Sequence, residues 1–295
     1  MLLTMFSKRM AAVAISIAVS GCAASAPRAD QRAALLVEHG QNDEAVRVLR
    51  EQLTKQPGDV ATRRMLVRVL GVAGKLGEAA SEAQKLAAAL GPHSPLPWVE
   101  LGHAHELAHR YEEALKFYDR AAEVAPADPL GAREGGLRAA RWGEAELAQP
   151  RLEEALRRDP RDARVWHALG VVRLKLDDVE GAKTAYRSGL MADPSALENR
   201  IGLATVALAT DDPAGALSQY DAIIAARPRF ADAHLGRSWA LVLLGRLVEA
   251  EAALETGARL GANPRVVTRQ RELVQQLQKG SKSDVESAAP IDQKR

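Results

Sequence analysis

A period of 34 residues runs through this chain and limits the folds that it can adopt. One alanine returns in each period, after a turn and at the start of an apolar helical pattern. These alanines are Ala45, Ala79, Ala114, Ala148, Ala182, Ala216 and Ala250. A fixed period of this length is typical of a solenoid, in which each unit packs only on its neighbours.

A series of prolines keeps the same register. Its members are Pro57, Pro92, Pro126, Pro160, Pro194 and Pro228. Each series contains one interval of 35 residues and otherwise intervals of 34, so the single extra residue lies between Ala79 and Pro92. Two independent series that share one insertion indicate a true structural repeat.

Each unit has the pattern of two helices. Apolar residues recur at helical spacing between alanine and proline, as in EALKFYDRAAEVAP, and another helix-length segment precedes each alanine. The segment WVELG at 98–102 returns as WHALG at 166–170. Helix, turn, helix and proline at this period resemble the tetratricopeptide repeat (TPR) family, as seven units over roughly 26 to 264.

This resemblance implies an all-α fold, a right-handed superhelical solenoid of helix-turn-helix repeats, with the repeat domain at 31–264. After the last repeat, RVVTRQRELVQQLQ at 265–278 has helical spacing and one charged face, which predicts a capping helix. The final segment, 279–295, is polar and aperiodic, and we expect it to be disordered. A partner-binding tail is the alternative for this segment.

The segment HELAH, from His105 to His109, matches the H-E-x-x-H pattern of zinc proteases. In the six other units the position of His109 holds glycine or aspartate, which is typical of a left-handed turn at a helix end. The position of His105 holds mostly apolar residues, which indicates packing. We therefore expect no catalytic residue, no metal site and no cofactor, and a zinc metalloprotease remains only a remote alternative.

The amino terminus has the pattern of an export signal. Lys8 and Arg9 precede a mostly apolar run, Met10 to Val19, which is too short to span a bilayer because a span requires about 20 residues. The following VSGC resembles the lipobox of bacterial lipoproteins. This resemblance implies a signal peptide at 1–21, lipid attachment such as palmitate at Cys22, and a tether at 22–30. An ordinary cleavable signal peptide is the alternative.

The number of cysteines helps to predict the cellular compartment of the protein. Cys22 is the only cysteine, so it forms no disulfide within the chain, and lipidation would account for a lone thiol in an exported protein. The next residue is Ala23 rather than aspartate, which in the enterobacterial sorting rule implied by the resemblance directs a lipoprotein to the outer membrane. We expect a lipid-anchored protein on the periplasmic face of that membrane.

Composition argues against nucleic-acid binding. The chain has 40 Lys+Arg against 38 Asp+Glu, and removal of Lys8 and Arg9 with the leader leaves equal numbers of each. No global basic field remains to attract nucleic acid, and aromatic residues make up only 4% of the chain, which leaves few stacking platforms. No feature of the sequence points to a small-molecule substrate either.

In the TPR family the first helix of each unit lines a concave binding face. Its amino-terminal part is mixed and basic here, with Arg64, Arg68 and His103, whereas units five to seven present apolar side chains. The predicted protein-binding groove consists of Val171, Leu174, Ile201, Leu208, Leu235, Trp239 and Val242. Such a groove suits an amphipathic or extended apolar segment, with Trp239 as anchor. The alternative is that these residues pack between repeats.

Three classes of function follow. Length, lipobox and repeats look most similar to the TadD-type lipoproteins of tight-adherence (Flp) pilus assembly, which are pilotin-like. That resemblance implies a scaffold for envelope proteins, with a secretin or a pilus assembly subunit as partner. The second class is a periplasmic adaptor that recruits peptidoglycan hydrolases or proteases. The lysine and asparagine clamp that some TPR domains use for acidic chaperone tails is absent from the groove positions, and the third class, an enzyme, depends on HELAH alone.

Overall fold

The computed structural model describes residues 28–287, and this part of the chain folds into fifteen α-helices without a β-strand. Three predictions from the sequence lie outside the described residues: the signal peptide at 1–21, lipid attachment at Cys22, and the tail beyond 287. Between 28 and 287 no helix combines the length and the hydrophobicity that a membrane crossing requires.

The helices pair in chain order into seven units. The first helices are α1 (Ala29–Glu38), α3 (Val60–Val72), α5 (Leu96–Leu107), α7 (Leu130–Trp142), α9 (Ala163–Lys175), α11 (Leu197–Ala209) and α13 (Ala231–Leu243). The second helices are α2 (Asn42–Lys55), α4 (Leu76–Leu90), α6 (Tyr111–Val124), α8 (Ala145–Arg158), α10 (Val179–Ala192), α12 (Pro213–Ala226) and α14 (Leu247–Arg259). A last helix, α15 (Pro264–Ser287), follows the seventh unit. The all-α solenoid predicted from the period is confirmed.

Close packing of the helices explains the recurring alanine. All seven alanines of the series are 0% exposed, because a single methyl group lets the two helices of a unit approach each other. From α1 to α11, each first helix also packs on the next first helix. Gly71 of α3 lies against the backbone of Ala104 in α5 so closely that a Cβ would overlap the Ala104 carbonyl. These contacts align the first helices into one continuous face.

The turns within the units have the predicted left-handed geometry. His109 (φ 60°), Asp177 (φ 60°) and Asp211 (φ 55°) each follow a first helix with positive φ. Gly40, Gly74, Gly143 and Gly245 do the same in the remaining units. Because the first helix of unit three ends at Leu107, His109 lies in the turn and not on the helix.

Both ends of the solenoid differ from the predicted boundaries. Helix α1 begins at Ala29, inside the predicted tether, because the Arg28 N–H donates to Gln31 Oε1 at 3.2 Å and caps the first turn. Helix α15 buries Val267 and Val274 and continues to Ser287, past the predicted end at 278. The disorder expected for 279–295 stays a prediction, and the described helix includes residues 279–287 of that segment. This stretch contains no proline, and its one glycine costs a helix only about 1 kcal/mol, so an existing helix can propagate through it.

Candidate functional site

The aligned first helices of units one to four form a groove of two connected pockets, which we call the N-terminal groove. Its apolar pocket, about 580 Å³, is lined by Ala34, Val37, Glu38, Ala61, Arg64, Met65, Arg68, Val69, Val72 and Leu107. Its polar pocket, about 620 Å³, is lined by Arg68, Val72, His103, Glu106, Leu107, His109, Tyr111, Arg138, Arg141 and Trp142. The pockets share Arg68, Val72 and Leu107, so they are two parts of one surface.

A buried carboxylate lies behind the arginines of the groove. Glu100 of α5 is 0% exposed and accepts a hydrogen bond from Arg64 Nε at 2.8 Å. Arg68 donates to the same carboxylate from Nη2 at 2.9 Å and also from Nε. Both arginines come from α3, where they are one helical turn apart and thus lie on the same face. Glu100 therefore fixes two guanidinium groups at the groove.

His103 extends this cluster to the next unit. Its Nε2 lies 3.3 Å from Glu134 Oε2, and its Nδ1 lies 3.7 Å from Glu100 Oε2, which is too long for a hydrogen bond. Arg138 donates to the same Glu134 oxygen at 3.2 Å and approaches Glu106 Oε2 at 3.5 Å. Positively and negatively charged side chains of α3, α5 and α7 thus alternate across the groove.

These contacts change the pKa values of Glu100, Glu134 and His103. Burial alone would raise the pKa of Glu100, but His103, Arg68 and Arg64 outweigh burial and lower the pKa to about 2. The hydrogen bond from His103, together with Arg138, lowers the pKa of Glu134 to about 2 against the effect of burial. Burial also disfavours the charged imidazole, yet Glu100 and Glu134 raise the pKa of His103 above its ordinary value. Both carboxylates are therefore ionised at neutral pH.

The far end of the polar pocket is aromatic. The rings of Tyr111 and Trp142 are tilted, with centroids 4.7 Å apart. His109 Nδ1 lies 3.2 Å from the Tyr111 hydroxyl oxygen. Arg141, which precedes Trp142 on α7, is exposed and has no ion-pair partner among residues 28–280. This end of the groove therefore presents an aromatic wall and a cation without a counter-ion.

The residues of the predicted protein-binding groove are spread along the opposite half of the solenoid. Val171 is 46% exposed, and Ile201 and Trp239 are partly buried. Leu174 packs on a cluster around Tyr186 of α10, while Leu208 and Val242 pack on a cluster that joins α12, α13, α14 and α15. These side chains do not gather into one hydrophobic cluster.

Leu235 is a correction to that predicted groove. It is only 7% exposed, because it packs with Leu254, Ala262 and Val267 between unit seven and the start of α15. The alternative reading, packing between repeats and against the capping helix, therefore holds for this residue. Helical spacing alone does not separate a groove side chain from a core side chain when another helix covers the same face.

The HELAH segment has no zinc-protease geometry. His105 lies on α5 with its ring 4.7 Å from that of Phe117, and burial lowers its pKa. His109 lies in the left-handed turn after that helix, so the two imidazoles do not share a helical face. Among the described residues no group of three or more His, Cys, Asp and Glu side chains has an arrangement that could hold a metal ion.

Sequence reasoning missed the buried Glu100 and the partly buried Glu134. Glu100 and Glu134 occupy the same repeat position, 34 residues apart, on the first helices of units three and four. The repeat register could have found them, because a glutamate at an inward position beside Arg64 and Arg68 predicts an ion pair. The apolar pocket was not foreseeable in this way, since its lining comes from α1, α3 and α5 together.

Comparison with known proteins agrees with this architecture. A tetratricopeptide repeat model matches residues 31–95, 134–196 and 201–264, and a second tetratricopeptide repeat model matches 95–128. The heat-shock protein cognate co-chaperone sgt12 of Aspergillus fumigatus is 32% identical over 92 residues, which are 31% of this chain and 27% of that protein. The match thus spans well under half of that relative.

Solved structures that share the fold include the following two. The carboxy-terminal part of a TPR repeat-containing protein from Cytophaga hutchinsonii has a TM-score of 0.60 at 15% identity, and the match covers 81% of this chain and 98% of that one. YrrB, a TPR protein with an unusual peptide-binding site, has a TM-score of 0.55 at 19% identity, with 65% and 99% covered.

Proposed function

The chain belongs to the tetratricopeptide repeat family, and from this premise we propose that it is a scaffold that holds a peptide segment of a partner protein in the N-terminal groove. One observation carries the proposal: the apolar and polar pockets join into a single surface across the first helices of four units. Leu107 lies at this junction and is 43% exposed, an apolar side chain left open to solvent.

The dimensions and lining of the groove support a peptide ligand. Each pocket is large enough for one or two side chains, and a groove along several helices suits an extended segment. Apolar side chains supply affinity there, and fixed arginines supply specificity. YrrB, which shares the fold, has a peptide-binding site of its own. No catalytic step is part of the proposal.

The cellular role that we propose is assembly of an envelope machine. The lipobox-like VSGC ending at Cys22 supports a lipid anchor, and Ala23 supports the outer membrane as its location. A tight-adherence pilus assembly role of the TadD type, with a secretin or pilus subunit as partner, rests on the overall resemblance. The adaptor for peptidoglycan hydrolases or proteases is the competing role.

Affinity capture of the full-length lipoprotein from gently solubilised envelopes tests both the binding groove and the cellular role. We expect Leu107→Asp to abolish capture of the partner, because it places a charge at the apolar junction of the groove. Leu147→Asp is the matched control, since Leu147 on α8 is also 43% exposed but lies outside the groove. Mass spectrometry identifies the captured proteins.

The outcomes separate the competing roles. A secretin or pilus subunit that is retained by Leu147→Asp and lost with Leu107→Asp supports the groove and the pilus role. Hydrolases or proteases with the same dependence support the adaptor role. Loss only in a Trp239→Ala, Leu208→Ser double variant would move binding to the carboxy-terminal half and refute the N-terminal groove.

A further inference from the structure

The lining of the N-terminal groove has an excess of arginine over glutamate. Arg64, Arg68, Arg138 and Arg141 line its two pockets, against Glu38 and Glu106. Glu106 is engaged on the inside, where Arg138 Nε lies 3.5 Å away and the Tyr118 hydroxyl donates to it at 3.4 Å. Glu38 belongs to α1, at the apolar end of the groove. The surface offered to a ligand at the polar end is therefore rich in donors.

Pairing with the buried Glu100 does not occupy all of these donors. Arg64 donates to Glu100 through Nε, so its terminal nitrogens remain directed elsewhere, and its side chain is 38% exposed. Arg68 uses Nε and Nη2 on the same carboxylate and is 42% exposed. Because Glu100 is itself inaccessible, a ligand meets guanidinium groups that are held in place from behind.

Arg141 differs from these arginines because no carboxylate of the described chain compensates it. It lines the polar pocket beside Trp142, and the Trp142 ring is in turn supported by Tyr111. A cation next to an aromatic wall favours a planar anion, since a guanidinium can form two parallel hydrogen bonds to a carboxylate. The aliphatic side chains of the neighbouring pocket begin at Val72 and Leu107.

We propose that the N-terminal groove selects a peptide segment in which a carboxylate lies close to an aliphatic side chain. Arg141 receives the carboxylate, while Val37, Met65, Val72 and Leu107 receive the aliphatic group. The proposal rests on the proposed peptide-binding function and adds the chemistry of the ligand. Charge complementarity carries it, because the groove has one cation without an internal partner and an apolar pocket adjoining it.

Fluorescent octapeptide arrays test this selectivity on the full-length chain in mild detergent. Each peptide holds one leucine and one aspartate at separations of one to four residues, in both orders. Matched arrays carry asparagine or lysine instead of aspartate, or alanine instead of leucine. We expect the best aspartate peptide to bind about tenfold more tightly than its asparagine match, in line with one charge-assisted contact. This preference should weaken as salt increases.

Two variants assign the preference to its residue. Arg141→Gln should reduce the preference for aspartate over asparagine to about twofold or less, while leucine-dependent binding remains. Arg187→Gln is the matched control, because Arg187 is an exposed arginine on α10 that forms no ion pair with residues 28–280 and lies far from the groove in sequence. It should bind like the wild type.

Failure of the inference and failure of the proposed function give different results. Equal binding of aspartate and asparagine peptides, or tighter binding of lysine peptides, overturns the inference while peptide binding stands. A full preference for aspartate in Arg141→Gln also overturns the role of this residue. Absence of leucine-dependent binding in every array overturns the groove itself and the proposed function with it.

Discussion

One inward position of the first helix holds a different residue type in units three and four than in units six and seven. Glu100 and Glu134 occupy the position in the former, Gly202 and Gly236 in the latter. Glu100 organises an ion cluster behind a groove. A Cβ at Gly202 would lie 2.5 Å from Tyr186 Cε1, so a tyrosine ring of the preceding unit fills the same space there.

Different residues determine the repeat and the groove. The alanine, the turn residue and the proline are common to both halves and build the same helix pairs. The inward position varies between the two halves. In units three and four it holds a glutamate that pairs with arginines at the groove, whereas in units six and seven it holds a glycine packed against a tyrosine ring.

The largest effect is expected when a glutamate is placed at the inward position of unit six, which holds a glycine. Gly202→Glu should lower the free energy of unfolding by about 3 kcal/mol or more, because it buries an unpaired charge against Tyr186. Urea unfolding followed by circular dichroism measures the loss. Thr205→Glu, exposed on the same helix, should change stability by less than about 0.5 kcal/mol. Equal effects of both variants would contradict the proposed difference.

Removal of the buried carboxylate is the converse experiment. Glu100→Gln keeps the shape of the side chain but leaves Arg64 and Arg68 without their anion. We expect a loss of about 2 kcal/mol, less than for a fully buried pair because both arginines remain partly hydrated. The exposed Glu51→Gln serves as control in the same urea titration. A variant as stable as the wild type would mean that Glu100 has no structural role.

The smallest expected effect is a change with pH in the stability of the amino-terminal half, which comes from His103. Its raised pKa contributes stability that is fully present below the ordinary value of 6.5 and is lost as pH rises through the pKa in the folded protein. The contribution of Glu100 is present above 4.5 and lost only as pH falls towards about 2, so it stays constant near neutrality.

Thermal unfolding from about pH 5 to about pH 9 checks this dependence. The difference in melting temperature between the wild type and His103→Gln should shrink as pH rises above 6.5. His93→Gln, at an exposed residue before α5, is the control for removal of a histidine. A gap between wild type and His103→Gln that is constant over the whole range would contradict the raised pKa.

Much of the fold was predictable because the residues that determine it lie close together in the sequence. The period, the seven helix pairs and the left-handed residues such as His109 and Asp177 follow from residues a few positions apart. The ends were less predictable. Helix α15 extends to Ser287, since a polar composition does not prevent an existing helix from continuing.

The sequence predicted a binding groove in units five to seven and described the amino-terminal part only as mixed and basic. The repeat register, together with the TPR resemblance, placed Arg64, Arg68 and His103 on the inward face, and these residues line the N-terminal groove. Their partner Glu100 required knowledge of which side chains meet across α3 and α5. The apolar residues of units five to seven show the same limit, because Leu235 meets α15 and Val171 meets solvent.

The period of 34 residues fixes the number of units and the position of each turn, and the TPR resemblance implies which face of each unit looks inward. Which inward side chains remain accessible depends on the neighbouring helices, because another helix that packs on the same face covers them. Val72 and Leu107 stay open where four first helices leave a groove, whereas Leu235 is covered because one further helix packs on it.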